Sequence, residues 1–363
     1  MDKARRSGPG GVWSGWTRQF IAAGLLCAAL LWSFVAALDP FGLRVSPGRA
    51  AQPIMDINQR FMYPQLVRSG AFDAAIFGTS TMRLIDPANL SRALNDRFVN
   101  LGMNAATPWE QVQIAGLFAR KVAAPRRIIW GIDTTWCESD ATAPEKRLTP
   151  RPFPIWLYDD SGWTAWPRLL NLTTLEIAGR LLAHRLGLMP ERIRGDGYEV
   201  FTPPEALYDL NRARSHLFAS YGGSAPDLTP LIPPEAVSGA ERAGWRFPAL
   251  AWLDQALSAY PASTERLIVL PPVHLGALPR EGSAGWQRYQ ACKAELAVLA
   301  ARQGATILDY AHASQLTSTD ANYWDPLHFR LAIAGRVGAD IAAVLRGADA
   351  VPAADANVSR PRR

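Results

Sequence analysis

Two short runs hold the residue types of nucleophilic catalysis. Gly78-Thr79-Ser80-Thr81 puts a serine directly behind an apolar run and a glycine. Asn322-Tyr323-Trp324-Asp325-Pro326-Leu327-His328-Phe329 puts a carboxylate and an imidazole three residues apart near the other end of the chain. A serine hydroxyl is a weak nucleophile until a base takes its proton, and the base needs an orienting carboxylate. Asp325 and His328 have the spacing to be that pair in a loop before a helix. A serine at a strand-to-helix turn also sits beside backbone N–H groups that suit a developing oxyanion. Taken alone, Ser80 fits an ordinary helix N-cap better than a nucleophile. The Asp–His pair shifts the balance, because a capping acid gives no reason for the histidine.

These residues need a frame to bring them together. Asp73–Phe77, Arg97–Leu101, Arg127–Gly131, Arg266–Leu270 and Ala305–Asp309 are short apolar runs of the kind that form buried strands. Trp109–Val122 and Trp286–Ala301 have helical spacing, and Ile333, Val337, Ile341 and Leu345 mark one face of a last helix. Strands alternating with helices predict an α/β domain over 71–346 with a mostly parallel, five-stranded sheet. In such sheets ligands bind beyond the carboxyl ends of the strands. Ser80 follows the first strand. Asp133 follows the third and His274 the fourth, which makes both candidates for substrate contact.

The chain has 363 residues, 48% of them apolar, and a net charge of +6. That composition excludes a disordered protein. The positive excess is mostly terminal. Lys3, Arg5, Arg6 and Arg18 against Asp2 leave residues 1–18 at +3, the tail 347–363 is at +1, and the body is nearly neutral. A nucleic-acid partner is therefore not indicated. Residues 19–38 carry no charge, and Phe20–Leu38 spans roughly 28 Å as a helix, close to a hydrocarbon core of about 30 Å. With basic residues before it, this segment predicts a single-pass signal anchor in the inner (cytoplasmic) membrane. Residues 1–18 are then cytoplasmic, 39–70 form a linker with a leading helix or loop, and the main domain is periplasmic or extracellular. A cleaved signal peptide ending at Val35-Ala36-Ala37 is the alternative, although its apolar region is usually shorter.

Residues 134–245 interrupt the rhythm. They hold 12 of the 28 prolines and five of the 13 tryptophans, too long a stretch for one loop. This insertion, with helix expected around 169–186, is either a lid or interaction surface or a cap on a sheet edge. The tail 347–363 is expected to be disordered. Cys137 and Cys292 would both be exported and are either paired or separately buried. The histidines are scattered, no Cys/His cluster has ligand spacing, and no phosphate-cradling glycine pattern occurs, so no metal or cofactor is expected.

The serine block, the Asp-x-x-His block and their order resemble the SGNH (GDSL-like) hydrolase superfamily over most of 73–346 apart from the insertion. The resemblance implies a three-layer flavodoxin-like α/β fold. It implies Ser80 as nucleophile, His328 as general base and then acid, and Asp325 as its orienter. In that family a glycine N–H of the second block joins the oxyanion hole beside the serine. Gly102, in Asn100-Leu101-Gly102-Met103-Asn104, takes that place. Thr79 departs from the usual Asp. Asp133 stands where the family has an Asn donor, and an ionised carboxylate cannot donate, which leaves Asn104 as a substitute. The anchor plus exported domain is similar to membrane-anchored proteins of alginate O-acetylation and teichoic-acid D-alanyl transfer. The expectation is ester hydrolysis or acyl transfer on an envelope glycan or polymer, beside a membrane-bound O-acyltransferase. The alternative is a non-catalytic scaffolding or binding protein with the same fold.

Overall fold

The computed structural model describes residues 9–44, 51–159, 162–347 and 355–361. It opens with helix α1 (Pro9–Leu38), followed by α2 (Gln59–Arg68), β1 (Ala74–Phe77), α3 (Ser80–Arg83), α4 (Pro87–Leu94), β2 (Phe98–Asn100), α5 (Pro108–Lys121) and β3 (Arg127–Gly131). The region after β3 contributes α6 (Leu172–Arg185), α7 (Leu210–Ala219), α8 (Gly239–Gly244) and several 3-10 segments, the longest Gly162–Leu169. Then come α9 (Ala249–Ser258), β4 (Glu265–Leu270), α10 (Ala284–Arg302), β5 (Ala305–Asp309), α11 (Gln315–Ser318), α12 (Leu331–Leu345) and β6 (Asn357–Ser359).

Among the described residues the strands form one sheet in the order β2-β1-β3-β4-β5-β6, with the first five parallel. The sixth runs antiparallel to β5, pairing Ile307 with Ser359 and Asp309 with Asn357. The expected sheet had five strands, and the expected disordered tail holds the sixth. Asn357-Val358-Ser359 has one apolar residue and no alternation to read, so only its partner defines it. Residues 348–354 and 362–363 of that tail lie outside the described residues.

Strand residues of alternate parity enter two separate cores, as the pleat requires. Ala75, Phe77, Ile128, Trp130, Ile268 and Ile307 pack with α2, α5, α9 and α10 on one face. Ala74, Ile76, Ile129, Leu267, Val269 and Leu308 pack with α4 and α12 on the other. Helices therefore cover both faces. Trp130 is wholly buried and its indole N–H donates to Gln111 Oε1 at 3.0 Å. Local chemistry sets the helix starts. Thr107 and Glu110 form a reciprocal capping box with Pro108 at the first turn of α5, and Asp86 caps α4 ahead of Pro87.

The leading helix of the linker segment, α2, packs into the domain. Arg60, Met62, Tyr63 and Leu66 of α2 are fully buried. The Arg60 guanidinium pairs with the equally buried Glu110 (Nε to Oε1 2.9 Å) and donates to Asn104 O at 3.2 Å, which ties α2, α5 and the loop after β2 together. A buried pair of this kind is costly to break, about 3–5 kcal/mol on loss of one partner. The insertion also covers the edge strand. Asn100 N–H donates to Asp196 O at 2.8 Å, and Gly197 lies so close that a Cβ there would be 2.0 Å from Asn100 O.

Helix α1 contains an apolar stretch, Trp13–Leu38, of 26 residues, long and apolar enough to cross a membrane. Most of it is exposed, but Val35 and Leu38 at its end are buried with Phe41 in the first core. Cys137 and Cys292 form a disulfide that joins the turn after β3 to α10.

Candidate active site

Phe77 pairs with Trp130 and Ile76 with Asn100, so β1, β2 and β3 end along a common line. At the end of β1, Gly78 adopts φ +144°, where a side chain would be strained and its Cβ would sit 2.7 Å from Met82 Cγ. This turn delivers Ser80 as the first residue of α3.

His328 comes from the loop ahead of α12. Tyr323 and Phe329 bridge across that loop, Trp324 N–H donates to His328 O at 2.8 Å, and His274 N–H at the end of β4 donates to Pro326 O at 2.9 Å. These bonds bring together residues 248 apart in sequence. His328 Nε2 lies 2.7 Å from Ser80 Oγ, and His328 Nδ1 lies 2.7 Å from Asp325 Oδ2. Asp325 Oδ1 accepts the N–H groups of Leu327 (2.9 Å) and His328 (3.0 Å). Burial works to raise the Asp325 pKa, but the His328 bond and charge and these two N–H groups outweigh it, so the pKa lies below its ordinary value. An ionised Asp325 accepts Nδ1–H and leaves Nε2 free to take a proton from Ser80.

A cleft of about 350 Å³ opens over Ser80 and His328. Its walls are mainly apolar, from Ile132, Pro271, Val273 and Leu278 to Ala105 and Leu327, with Asn104, Asp133 and Thr135 as polar points. A cavity of about 400 Å³ between α4 and α12 contains none of these groups.

Asp133 therefore lines the cleft. Its Oδ1 accepts the Thr135 N–H at 3.0 Å and the Thr135 hydroxyl at 2.5 Å. Desolvation pushes its pKa up, with the bonds from Thr135 and Thr79 opposing. Asn104 also lines the cleft, held from behind by Arg60. Gly102 does not line it: its N–H donates to Asn100 Oδ1 at 3.0 Å. Its lack of a side chain serves packing instead, since a Cβ would be 3.2 Å from Thr79 O and from Arg83 Cγ. His274 is fully buried away from the cleft. Its Nδ1 accepts Gly276 N–H at 3.2 Å, and its Nε2 lies 3.1 Å from Asp320 Oδ1, with Tyr323 across its ring. It braces the Asp325–His328 loop rather than facing a ligand.

One contact of the site escapes the sequence. Phe201, from the insertion, sets its ring edge-on to His328 at 5.1 Å, and is itself covered by Arg83, whose guanidinium lies 4.5 Å away and pairs with Glu199. Apolar context and the proline-rich surroundings gave no sign of this contact. Asp309-Tyr310-Ala311-His312 repeats the Asp-x-x-His spacing, yet here it is separated. Asp309 pairs with Lys293 at 2.5 Å and accepts Ala311 N–H, while His312 Nδ1 faces Ala313 O.

No protein-family model matches this chain, and no curated protein matches it.

Proposed function

We propose that this chain is a membrane-anchored serine acyl-transfer enzyme of SGNH type, an esterase or O-acyltransferase working on esters of an envelope glycan or polymer. The observation that carries the reading is the bonded series Ser80–His328–Asp325 opening into a cleft. The strand order 2-1-3-4-5 among the parallel strands is the flavodoxin-like order, and its reversal between β1 and β3 lies beside Ser80.

The chemistry follows from the geometry. Ser80 Oγ attacks the ester carbonyl while its proton passes to His328 Nε2. The carbonyl oxygen becomes an oxyanion, for which the Ser80 backbone N–H and the Asn104 side-chain amide, both at the cleft, are the candidate donors. Collapse breaks the ester C–O bond, and the imidazolium returns the proton to the departing alkoxide. An acyl-serine remains. Water or an acceptor hydroxyl then gives its proton to Nε2, attacks the acyl carbon and expels Ser80 Oγ, which takes that proton back from the imidazolium. Hydrolysis and transfer differ only in that second nucleophile. Asp325 holds the Nδ1–H tautomer and stabilises the imidazolium.

The uncleaved anchor has its own support. Val35 and Leu38 are packed in the domain core, and removal of the segment at Ala37 would strip Val35 from it. An exported location is consistent with the Cys137–Cys292 disulfide. A membrane-bound O-acyltransferase and an envelope polysaccharide are the partners this reading proposes.

A second reading, a non-catalytic binding module, draws on Asp133 in the cleft and on the Gly102 N–H committed to Asn100. A fluorophosphonate probe on the purified full chain separates the two. Catalysis predicts a single adduct on Ser80, absent from Ser80→Ala and His328→Ala. Folded wild-type protein that takes no label supports the binding module.

A further inference from the structure

The strongest unexplained surface is on α6, in the insertion. One face of this helix, Thr174, Ile177, Ala178 and Leu181, is buried in the core. A second apolar face points outward. Leu172, Gly179, Leu182 and the C-cap Leu186 share one exposed side of the helix, while Leu175 on the same side is only partly exposed and packs against the first core. Leu172 is 85% exposed and Leu186 64%, and Leu188 just beyond is 75% exposed. A soluble helix normally turns charged residues to that side. Here the Glu176–Arg180 pair occupies a different strip, turned toward Asp56.

The location of this stripe is set by α1. Helix α6 packs beside the end of α1, and Arg185 Nη2 donates to Leu38 O at 3.1 Å. The turn before α6 reaches further down. Trp32 Nε1 donates to Trp166 O at 3.1 Å, with the two rings 6.0 Å apart. Trp32 lies six residues before Leu38, roughly 9 Å along the helix axis. The turn before α6 therefore lies against the last two turns of α1, where the membrane-spanning stretch leaves the hydrocarbon for the outer headgroup layer. Tryptophans favour that headgroup layer, and Arg44, 5.9 Å from the Trp166 ring, together with Arg168 and Arg185, places positive charge where lipid phosphates lie.

From this continuity we infer that the outward stripe of α6 lies in the outer interface of the bilayer beside α1, so that the insertion is a second, peripheral lipid contact. The inference rests on the reading of α1 as an uncleaved transmembrane anchor. A single helix alone leaves the domain free to swivel. Two contacts fix its tilt and the height of the cleft above the lipid.

The test uses the full chain in phosphatidylethanolamine/phosphatidylglycerol vesicles with the disulfide kept oxidised. Nitroxide labels are placed at Leu172→Cys, Leu186→Cys and, as a water-facing reference, the 65% exposed Leu207→Cys, each in a Cys27→Ser background. Wild-type chain labelled at Cys27 reports on α1 itself. Collision rates with oxygen and with a water-soluble nickel chelate are then compared. Labels at 172 and 186 favour oxygen over nickel several-fold more than the label at 207. Nickel access at 172 and 186 equal to that at 207, with Cys27 shielded, refutes the lipid contact while leaving the anchor intact. Nickel access at Cys27 as well overturns the anchor and the inference with it.

Discussion

Replacing Asp325 by Asn changes one atom type and tests the proposed division of labour in the site. The Asp325 side chain makes three contacts: Oδ2 with His328 Nδ1 at 2.7 Å, and Oδ1 with the N–H groups of Leu327 and His328. An asparagine can keep its oxygen on the two backbone N–H groups. Its amide nitrogen then faces Nδ1 and donates, which forces the tautomer with Nδ1 as acceptor and a proton on Nε2. That proton points at Ser80 Oγ, 2.7 Å away, so the imidazole can no longer receive the serine proton. Loss of the working tautomer costs about 10³–10⁴ in kcat, or roughly 4–5.5 kcal/mol of transition-state stabilisation. Stability changes far less. The carboxylate is 38% exposed, so a charge-assisted bond of about 1.5–3 kcal/mol is screened to about 1 kcal/mol. Initial rates of p-nitrophenyl acetate hydrolysis, with thermal unfolding of the same sample, read both quantities. Activity within tenfold of wild type in a folded Asp325→Asn protein would refute the role given to Asp325.

Three further outcomes follow from the surroundings of the site. Asp133→Asn raises the melting temperature at pH 7. Burial lifts the Asp133 pKa in the folded state, so its favourable contribution exists in acid and is lost as pH rises through that pKa. The gain from Asn therefore shrinks toward about pH 4, which melting curves across pH check. The same variant keeps or increases esterase turnover, since an amide donates where a carboxylate repels an oxyanion. Gly78→Ala destabilises by about 1–3 kcal/mol through its positive φ, and lowers kcat by moving Ser80 away from Nε2, both visible in paired unfolding and rate measurements. Cys137→Ser with Cys292→Ser, opening a loop with a sequence separation of 155, lowers stability by about 2–5 kcal/mol in denaturant titration. It also slows probe labelling of Ser80, because Thr135 and Tyr289 of the cleft wall flank the disulfide.

The parallel strands were legible in the sequence because each is a short apolar run ending in a turn residue. Arg127–Gly131 and Ala305–Asp309 have the expected bounds, and β1, β2 and β4 differ from theirs by one or two residues. The Ser80, Asp325 and His328 cluster was legible because strand ends in such a sheet converge on one edge, which needs only order along the chain. What a pattern could not supply was hydrogen-bond partnership. Gly102 stands at the expected position, yet its N–H is taken by Asn100 Oδ1, a choice made by a side chain two residues away. His274 is at a strand end, but its ring turns inward to Asp320. The insertion was the least legible part, because Asp196, Gly197 and Phe201 act through contacts with β2 and His328 rather than through any periodicity of their own.

The central proposal, that Ser80 forms an acyl intermediate, has one direct measurement. Wild-type chain is mixed with excess p-nitrophenyl acetate, quenched in acid within the first turnovers, and digested for peptide mass spectrometry. The account predicts one acetyl group on the peptide containing Ser80, appearing with the first burst of nitrophenolate and absent from Ser80→Ala. Nitrophenolate release with no acetyl on Ser80, or the same release from Ser80→Ala, contradicts it.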